Sequence, residues 1–139
     1  MTAPNRTFTL LPQTTIATAK TGILTDTLML PYGLKSLTVQ ALFNYGAGGT
    51  DATAWVQTSL DDGTTWMDIM AFNFTTSAAT KVSAVRQFIA LAAVATPTDG
   101  TLTDDTILDG CIGDRVRVKW TTTGTYTGIT NLRLTGVVN

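Results

Sequence analysis

The residues of this sequence with the clearest chemical potential are acidic, and they lie around tight turns. Asp61-Asp62-Gly63, within SLDDGTTWMDI, separates two runs that alternate like strands. Four further acids lie in a long connection between two other runs: Asp99, Asp104, Asp105 and Asp109. Carboxylates grouped with turn carbonyls could bind calcium, and two carboxylates across a cleft could hydrolyse a glycoside. An EF-hand loop also needs a distant Glu, and this chain contains no Glu.

A tight hairpin explains Asp61-Asp62-Gly63 without any ligand. A three-residue loop ending in Gly fits a type I turn closed by a left-handed Gly in a bulge. Gly63 would supply the positive φ, and Asp61 would bond back to the backbone of the turn. We therefore predict a structural turn, with a calcium loop and a ligand-contacting turn as the alternatives.

The sequence offers few groups for catalysis. It has no histidine, which removes the commonest general base and the commonest metal ligand together. Ser59 and Ser83 therefore have no His partner, and neither lies in a nucleophile elbow. Cys111 is the single cysteine and cannot form an internal disulfide. We predict that the protein is not an enzyme and has no catalytic residues, no metal site and no cofactor.

A strip of basic residues is the strongest candidate for partner contact. Arg115, Arg117 and Lys119 occupy alternate positions, so they would project from one strand face about 7 Å apart. A phosphate-binding role is conceivable, but nine basic residues against ten acids give a net charge of −1 and no electrostatic footprint for nucleic acid. We predict that this basic strip meets acids of the 99–114 segment, within the chain or on a neighbouring copy.

Aromatic residues leave two interpretations open. Six of them could line a platform for sugar rings or belong to the core: Tyr32, Tyr45, Trp55, Trp66, Trp120 and Tyr126. Aromatic side chains on strands pack more often than they bind, so the core is the preferred interpretation. In a carbohydrate-binding module, Trp66 or Tyr126 would be exposed.

The elements that must position these residues are strands. Thr is the most frequent residue type and every acid is Asp, a composition that suits pleated sheets with Asp in the turns. Short alternating runs recur between clusters of Gly, Asp, Pro and Thr. We predict an all-β, antiparallel β-sandwich or jelly roll of eight or nine strands, as one domain over residues 1–139.

Individual runs differ in clarity. Residues 34–45, 115–123 and 130–138 alternate well, with Val116, Val118 and Trp120 on one face and the basic strip on the other. Residues 80–97 could form a helix or a strand, and we favour the strand because no capping box precedes them. Residues 1–8 could be an extended N-terminal arm whose Arg6 and Phe8 contact a partner.

The surface and the targeting signals narrow the setting. Only 14% of the residues are charged, against roughly 25% in ordinary globular domains. A β protein with so few charges has little protection against edge pairing, which suggests that partners cover part of it. The alternative is that a Thr-rich surface with few charges is simply tolerated and is not covered by a partner. No signal peptide and no membrane span is apparent, so we expect synthesis and assembly in a cytoplasm.

Three phrases carry a resemblance to a known group of proteins: WVQTSLDDGTTWMDIMAF, PTDGTLTDDTILDG and IGDRVRVKWTTTGTYTGITNLRL. Over residues 54–138 the chain resembles small structural proteins of tailed bacteriophages, including capsid cement or decoration proteins with a jelly-roll or sandwich fold. The resemblance implies a virion protein on the outer surface of the capsid, assembled in the host cytoplasm.

The same resemblance implies the partners. The protein would bind the major capsid protein and itself, as a homodimer or alternatively a homotrimer, and would stabilise the head by bridging neighbouring capsid subunits. Neither nucleic acid nor membrane is implied as a partner. The alternatives are another virion component, such as a head fibre, neck or tail protein, and a carbohydrate-binding β-sandwich module.

Overall fold

The computed structural model describes residues 6–139, with side chains from residue 7 onward, and every regular element in this range is a strand. The strands are β1 (Arg6–Thr15), β2 (Lys20–Leu24), β3 (Leu28–Met29), β4 (Ser36–Asn44), β5 (Ala47–Gly48), β6 (Asp51–Ser59), β7 (Met67–Phe74), β8 (Ala79–Arg86), β9 (Arg115–Thr123), β10 (Tyr126–Thr127) and β11 (Asn131–Val138). The all-β class is confirmed. Jelly-roll topology stays a prediction.

The long strands form two antiparallel sheets. The first sheet has the order β1-β11-β4-β8. The second has the order β2-β9-β6-β7, and the short β3 also pairs with β9. A two-stranded ribbon of β5 and β10 lies beside them. This arrangement of two sheets confirms the predicted sandwich architecture.

Alternation along β4, β9 and β11 builds the core between the sheets. Leu37, Val39, Ala41 and Phe43 of β4 are fully buried, and the residues that alternate with them face outward. On β9 the predicted inward set is confirmed, since all three members are buried: Val116, Val118 and Trp120. The period of two therefore places one face of each strand in the core, as expected for a half-buried strand.

A long connection crosses the outer faces of β6 and β7 and then follows the outer edge of β7, which explains why both strands are buried on both faces. This connection, residues 97–110, is called the strap below. The backbone N–H of Ala71 donates to the carbonyl of Thr106 at 3.0 Å, and Leu108 donates to Ile69 at 3.0 Å. The strap thus continues the second sheet beyond β7 without forming a regular strand.

The strap then crosses from the second sheet to the first. After its contacts with β7, the backbone N–H of Gly110 donates to the carbonyl of Arg86 at 3.1 Å, at the end of β8. Asp109 Oδ1 accepts from the backbone N–H of Arg86 at 2.6 Å. One end of the gap between β7 and β8 is therefore closed by the chain itself.

The turn at Asp61 has the predicted chemistry in a longer loop than predicted. Gly63 has φ +86°, and Asp62 is also in the left-handed region at +58°. Asp61 Oδ1 accepts from the backbone N–H of Thr65 at 2.7 Å. The connection runs from residue 60 to residue 66, and within it the hydroxyl of Ser59 donates to Asp61 Oδ1 at 2.9 Å and accepts from the backbone N–H of Gly63 at 2.8 Å.

Residues 80–97 divide in two. Their first part lies in β8, as predicted, and Val85 is fully buried. The predicted continuation through Ile89 and Leu91 is wrong, because the chain leaves the sheet after Arg86. Phe88 takes φ +63°, a conformation that ends an extended strand.

Only the last three residues of the predicted N-terminal arm, residues 1–8, lie in the described range. Residues 1–5 lie outside the described range. Arg6, Thr7 and Phe8 belong to β1 and pair with Val138, Val137 and Gly136 of β11. Residues 6–8 are therefore part of the sheet and not of a separate arm, because the ladder with β11 satisfies their backbone groups.

Candidate functional site

Asp68 is the polar centre that fixes the strap. It is 1% exposed, and its carboxylate accepts hydrogen bonds from the backbone N–H groups of Gly100, Thr101 and Leu102 at 2.8–3.1 Å. The hydroxyl of Thr98 donates to it as well, at 2.9 Å. A buried carboxylate needs such a shell of donors. The backbone of residues 100–102 therefore takes its conformation around the side chain of Asp68.

The basic strip lies beside this centre and is occupied within the chain. Arg117 Nε donates to Gln57 Oε1 at 2.8 Å, and Lys119 Nζ lies 3.1 Å from Asp99 Oδ1. Gln57 in turn donates to both Asp68 and Asp99. The hydrogen bond from Gln57 is the largest cause of the lowered pKa of Asp99, and Lys119 lowers this pKa further. These contacts confirm that the strip meets acids of the 99–114 segment, and they lie within one chain.

The three side chains of the basic strip expose little surface for a partner. Arg117 is 13% exposed and lies over the ring of Trp66, and burial lowers the pKa of its guanidinium. Arg115 pairs with Asp114 at 3.0 Å and with Asp62 at 3.1 Å. The strip therefore acts chiefly as a clamp on the strap and the turn at Asp61.

Phe8, the other predicted contact residue, also packs within the chain. Its half-buried ring packs against the edge of the core and over Gly136, where a Cβ would lie only 2.8 Å from the ring. Phe8 also lines a cleft with Leu28 and Val138. The part of Phe8 that stays accessible is the wall of this cleft.

The aromatic residues separate into packed and exposed groups. Tyr126 is buried, its hydroxyl donates to the carbonyl of Thr75 at 2.9 Å, and burial raises its pKa. Trp66 donates its indole N–H to Gly63 and has Arg117 over its ring. The Tyr126 ring is not free to stack on a sugar, and Arg117 covers one face of the Trp66 ring, whereas Tyr32 is fully exposed.

The acidic cluster forms ion pairs with the domain's own cations. Asp105 pairs with Lys81 at 2.8 Å, and Asp109 pairs with Arg86 at 2.7 Å. Asp104 has a raised pKa because it is partly desolvated and lies near the negative Asp51 and Asp105. Within residues 6–139, no three His, Cys, Asp or Glu side chains come together as a set that could hold a metal ion.

The most unusual surface is the run FIALAAVAT, residues 88–96, called the apolar segment below. It contains no charged residue and no regular structure. Phe88 is 87% exposed and Val94 is 100% exposed. An exposed aromatic residue at positive φ is uncommon, because the left-handed region is unfavourable for a bulky side chain.

A groove adjoins the start of the apolar segment. Its volume is about 630 Å³, and its exposed apolar walls come from Met29, Tyr32 and Phe88. Monomeric soluble proteins rarely expose contiguous apolar surface of this kind unless it has a function. The sequence did not indicate this site, because the alternation of residues 85–91 favoured a continued strand and chains with few charges contain many uncharged runs.

Comparisons with known proteins identify no relative of this chain. No protein-family model matches it, and neither does any curated protein or solved structure. The part of the chain that the structure describes also contains no helix long and apolar enough to cross a membrane.

Proposed function

We propose that the protein is a structural component of a tailed-bacteriophage virion, a capsid cement or decoration protein that binds the outer surface of the head. It would bridge neighbouring capsid subunits and stabilise them, as a homodimer or alternatively a homotrimer on the major capsid protein. The resemblance over residues 54–138 supports this setting, and a jelly-roll version of the sandwich would suit it.

The observation that carries the proposal is the exposed apolar segment beside the groove of Tyr32 and Phe88. Aromatic side chains buried in pockets supply much of the binding free energy of protein interfaces. Five cations of the described chain are meanwhile bound to acids of the same chain: Lys81, Arg86, Arg115, Arg117 and Lys119. Attachment would therefore depend on apolar and hydrogen-bonding contacts more than on salt bridges.

Attachment in many copies explains how a small domain could reinforce a shell. Each copy contributes one modest interface, and bridging two subunits makes the second contact effectively intramolecular. The shell would then resist the outward pressure of packaged DNA through the sum of these contacts. No chemical step is required of the protein.

Copy number in purified particles tests the proposal and its nearest alternative. Hundreds of copies per particle would support a head decoration protein. A dozen copies or fewer would instead indicate a neck, tail or head-fibre component. Absence from particles would overturn both. The carbohydrate-binding alternative has less support, because Tyr126 is buried and Arg117 covers one face of the Trp66 ring.

A further inference from the structure

The outer edge of β8 carries backbone groups without partners. The N–H of Gln87 donates to Lys35 on the β4 side at 2.8 Å, whereas both backbone groups of Arg86 bond on the opposite side, to Asp109 and Gly110. Alternate residues of an antiparallel strand direct these groups to opposite edges. The β4–β8 register contains no bulge, so the even-numbered residues of β8 all face outward.

Three residues therefore form a free edge: Thr80, Val82 and Ala84. Their N–H and C=O groups have no hydrogen-bond partner anywhere in residues 6–139. Val82 is also 64% exposed. Native proteins usually protect a sheet edge with proline, a bulge, a charge or a covering loop. The strap covers this edge only at Arg86.

A groove lies beside the middle of the free edge, at Val82. Its volume is about 460 Å³, and its walls come from β7, β8 and the strap: Ala71, Phe72, Lys81, Val82, Ser83, Asp105 and Thr106. The ion pair between Lys81 and Asp105 neutralises its only two charges. The second sheet is extended here by the strap, whereas the first sheet ends at β8. The groove occupies the position of the strand that the first sheet lacks.

We propose that the free edge of β8 accepts an extended, uncharged segment of about five residues from another polypeptide, which adds a strand about 17 Å long to the first sheet. Both backbone groups of Thr80, Val82 and Ala84 would then be paired. A whole second copy fits poorly, because its own β8 is accompanied by a strap that would occupy the same groove. This inference does not depend on the virion assignment.

Hydrogen exchange of the 139-residue chain tests the premise. The amides of Thr80, Val82 and Ala84 should exchange quickly, whereas those of Lys81, Ser83 and Val85 should be protected by β4. Protection of all six amides in the isolated protein would show that the edge is already covered, and the proposal would be wrong.

A neutral peptide then tests acceptance of a strand. The probe is acetyl-Thr-Val-Thr-Val-Thr-amide, which alternates and carries no charge. At nine-tenths occupancy we expect exchange at Thr80, Val82 and Ala84 to slow about tenfold. If millimolar peptide leaves the exchange of all three amides unchanged, the edge is not an acceptor.

Two proline variants separate binding from folding. Val82→Pro removes an outward N–H that bonds to nothing in the described chain, so the variant should fold and lose peptide binding. Ser83→Pro removes an N–H on the β4 side and should unfold more easily. Should Val82→Pro fail to fold, Ala84→Pro removes the next outward N–H and serves in its place. Peptide binding that survives in a folded proline variant would overturn the proposal.

Discussion

The guanidinium of Arg117 lies 4.1 Å from the centre of the Trp66 ring, and this contact joins β9 to the loop between β6 and β7. Trp66 is also held by a hydrogen bond from its indole N–H to the carbonyl of Gly63 at 3.1 Å. The same Arg117 binds Gln57, which reaches the strap through Asp99. One cation therefore ties together a turn, a strand and the strap.

Arg117→Ala should lower the free energy of unfolding by about 2 kcal/mol, because a charged hydrogen bond and a cation–π contact are both lost. Arg117→Lys should recover only part of this, since an ammonium group cannot stack as a planar guanidinium does. Urea unfolding measures both. Arg133→Ala is the matched control, because Arg133 is exposed on β11 and has no ion pair in the described chain. Equal losses at the two positions would contradict the clamp.

Asp68→Asn should destabilise the protein by about 3 kcal/mol, because an amide cannot accept all the hydrogen bonds of the buried carboxylate and adds donors of its own. The loss of structure should be largest in the strap. Hydrogen exchange at Gly100, Thr101 and Leu102 should accelerate more than exchange in β4. The control is Asp26→Asn, at an exposed side chain that has no ion pair in the described chain. Unchanged exchange in the strap would show that Asp68 does not hold it.

Acid should weaken the protein through Asp61, Asp99 and Asp109. Hydrogen bonds from Thr65, Gln57 and Arg86, respectively, are the largest cause of the lowered pKa of each carboxyl. A carboxyl with a lowered folded pKa binds fewer protons folded than unfolded. Its stabilisation is thus complete above the unfolded pKa, near 4, and is lost as pH falls through the lowered folded pKa.

The Asp99→Asn variant isolates one part of this acid sensitivity. It should be less stable than the original at pH 7, and the difference should shrink when both are unfolded in urea near pH 3. Asp26→Asn, in the exposed connection before β3, provides the comparison because Asp26 has no ion pair in the described chain. A difference that is constant between the two pH values would exclude Asp99 as a source.

Phe88→Asn should weaken attachment to capsids without lowering stability. Asn tolerates the left-handed region better than Phe, so the free energy of unfolding should rise by about 1 kcal/mol while the apolar contact is lost. Ile129→Asn is a close control, since Ile129 is 83% exposed and has φ +61° in a different loop. Co-sedimentation with capsids lacking the protein measures binding. Equal binding by both variants would remove Phe88 from the interface.

The sequence was most informative where one face of a strand is buried. Alternation over residues 115–123 gave the bounds of β9 and the correct inward set, because only one of the two faces of this strand carries apolar side chains. Gly63 and Asp61 likewise behaved as their residue types dictate, although the loop was longer than expected.

The strap and the apolar segment could not be placed from the sequence. The course of residues 98–102 depends on Asp68, about thirty positions earlier, and no local period records such a contact. The sequence continues to alternate after Arg86, through Gln87, Ile89 and Leu91, but Phe88 at positive φ turns the chain out of the sheet. Hydrophobic pattern cannot distinguish a strand that continues from an apolar run that is exposed to solvent.

The position of β11 between β1 and β4 has a consequence for how the molecule is made. During translation β1 leaves the ribosome more than a hundred residues before β11, its only ladder partner in the described chain. The first sheet therefore cannot close until residues 131–138 are free of the exit tunnel. Chaperones would meet a chain whose earliest strand is still unpaired.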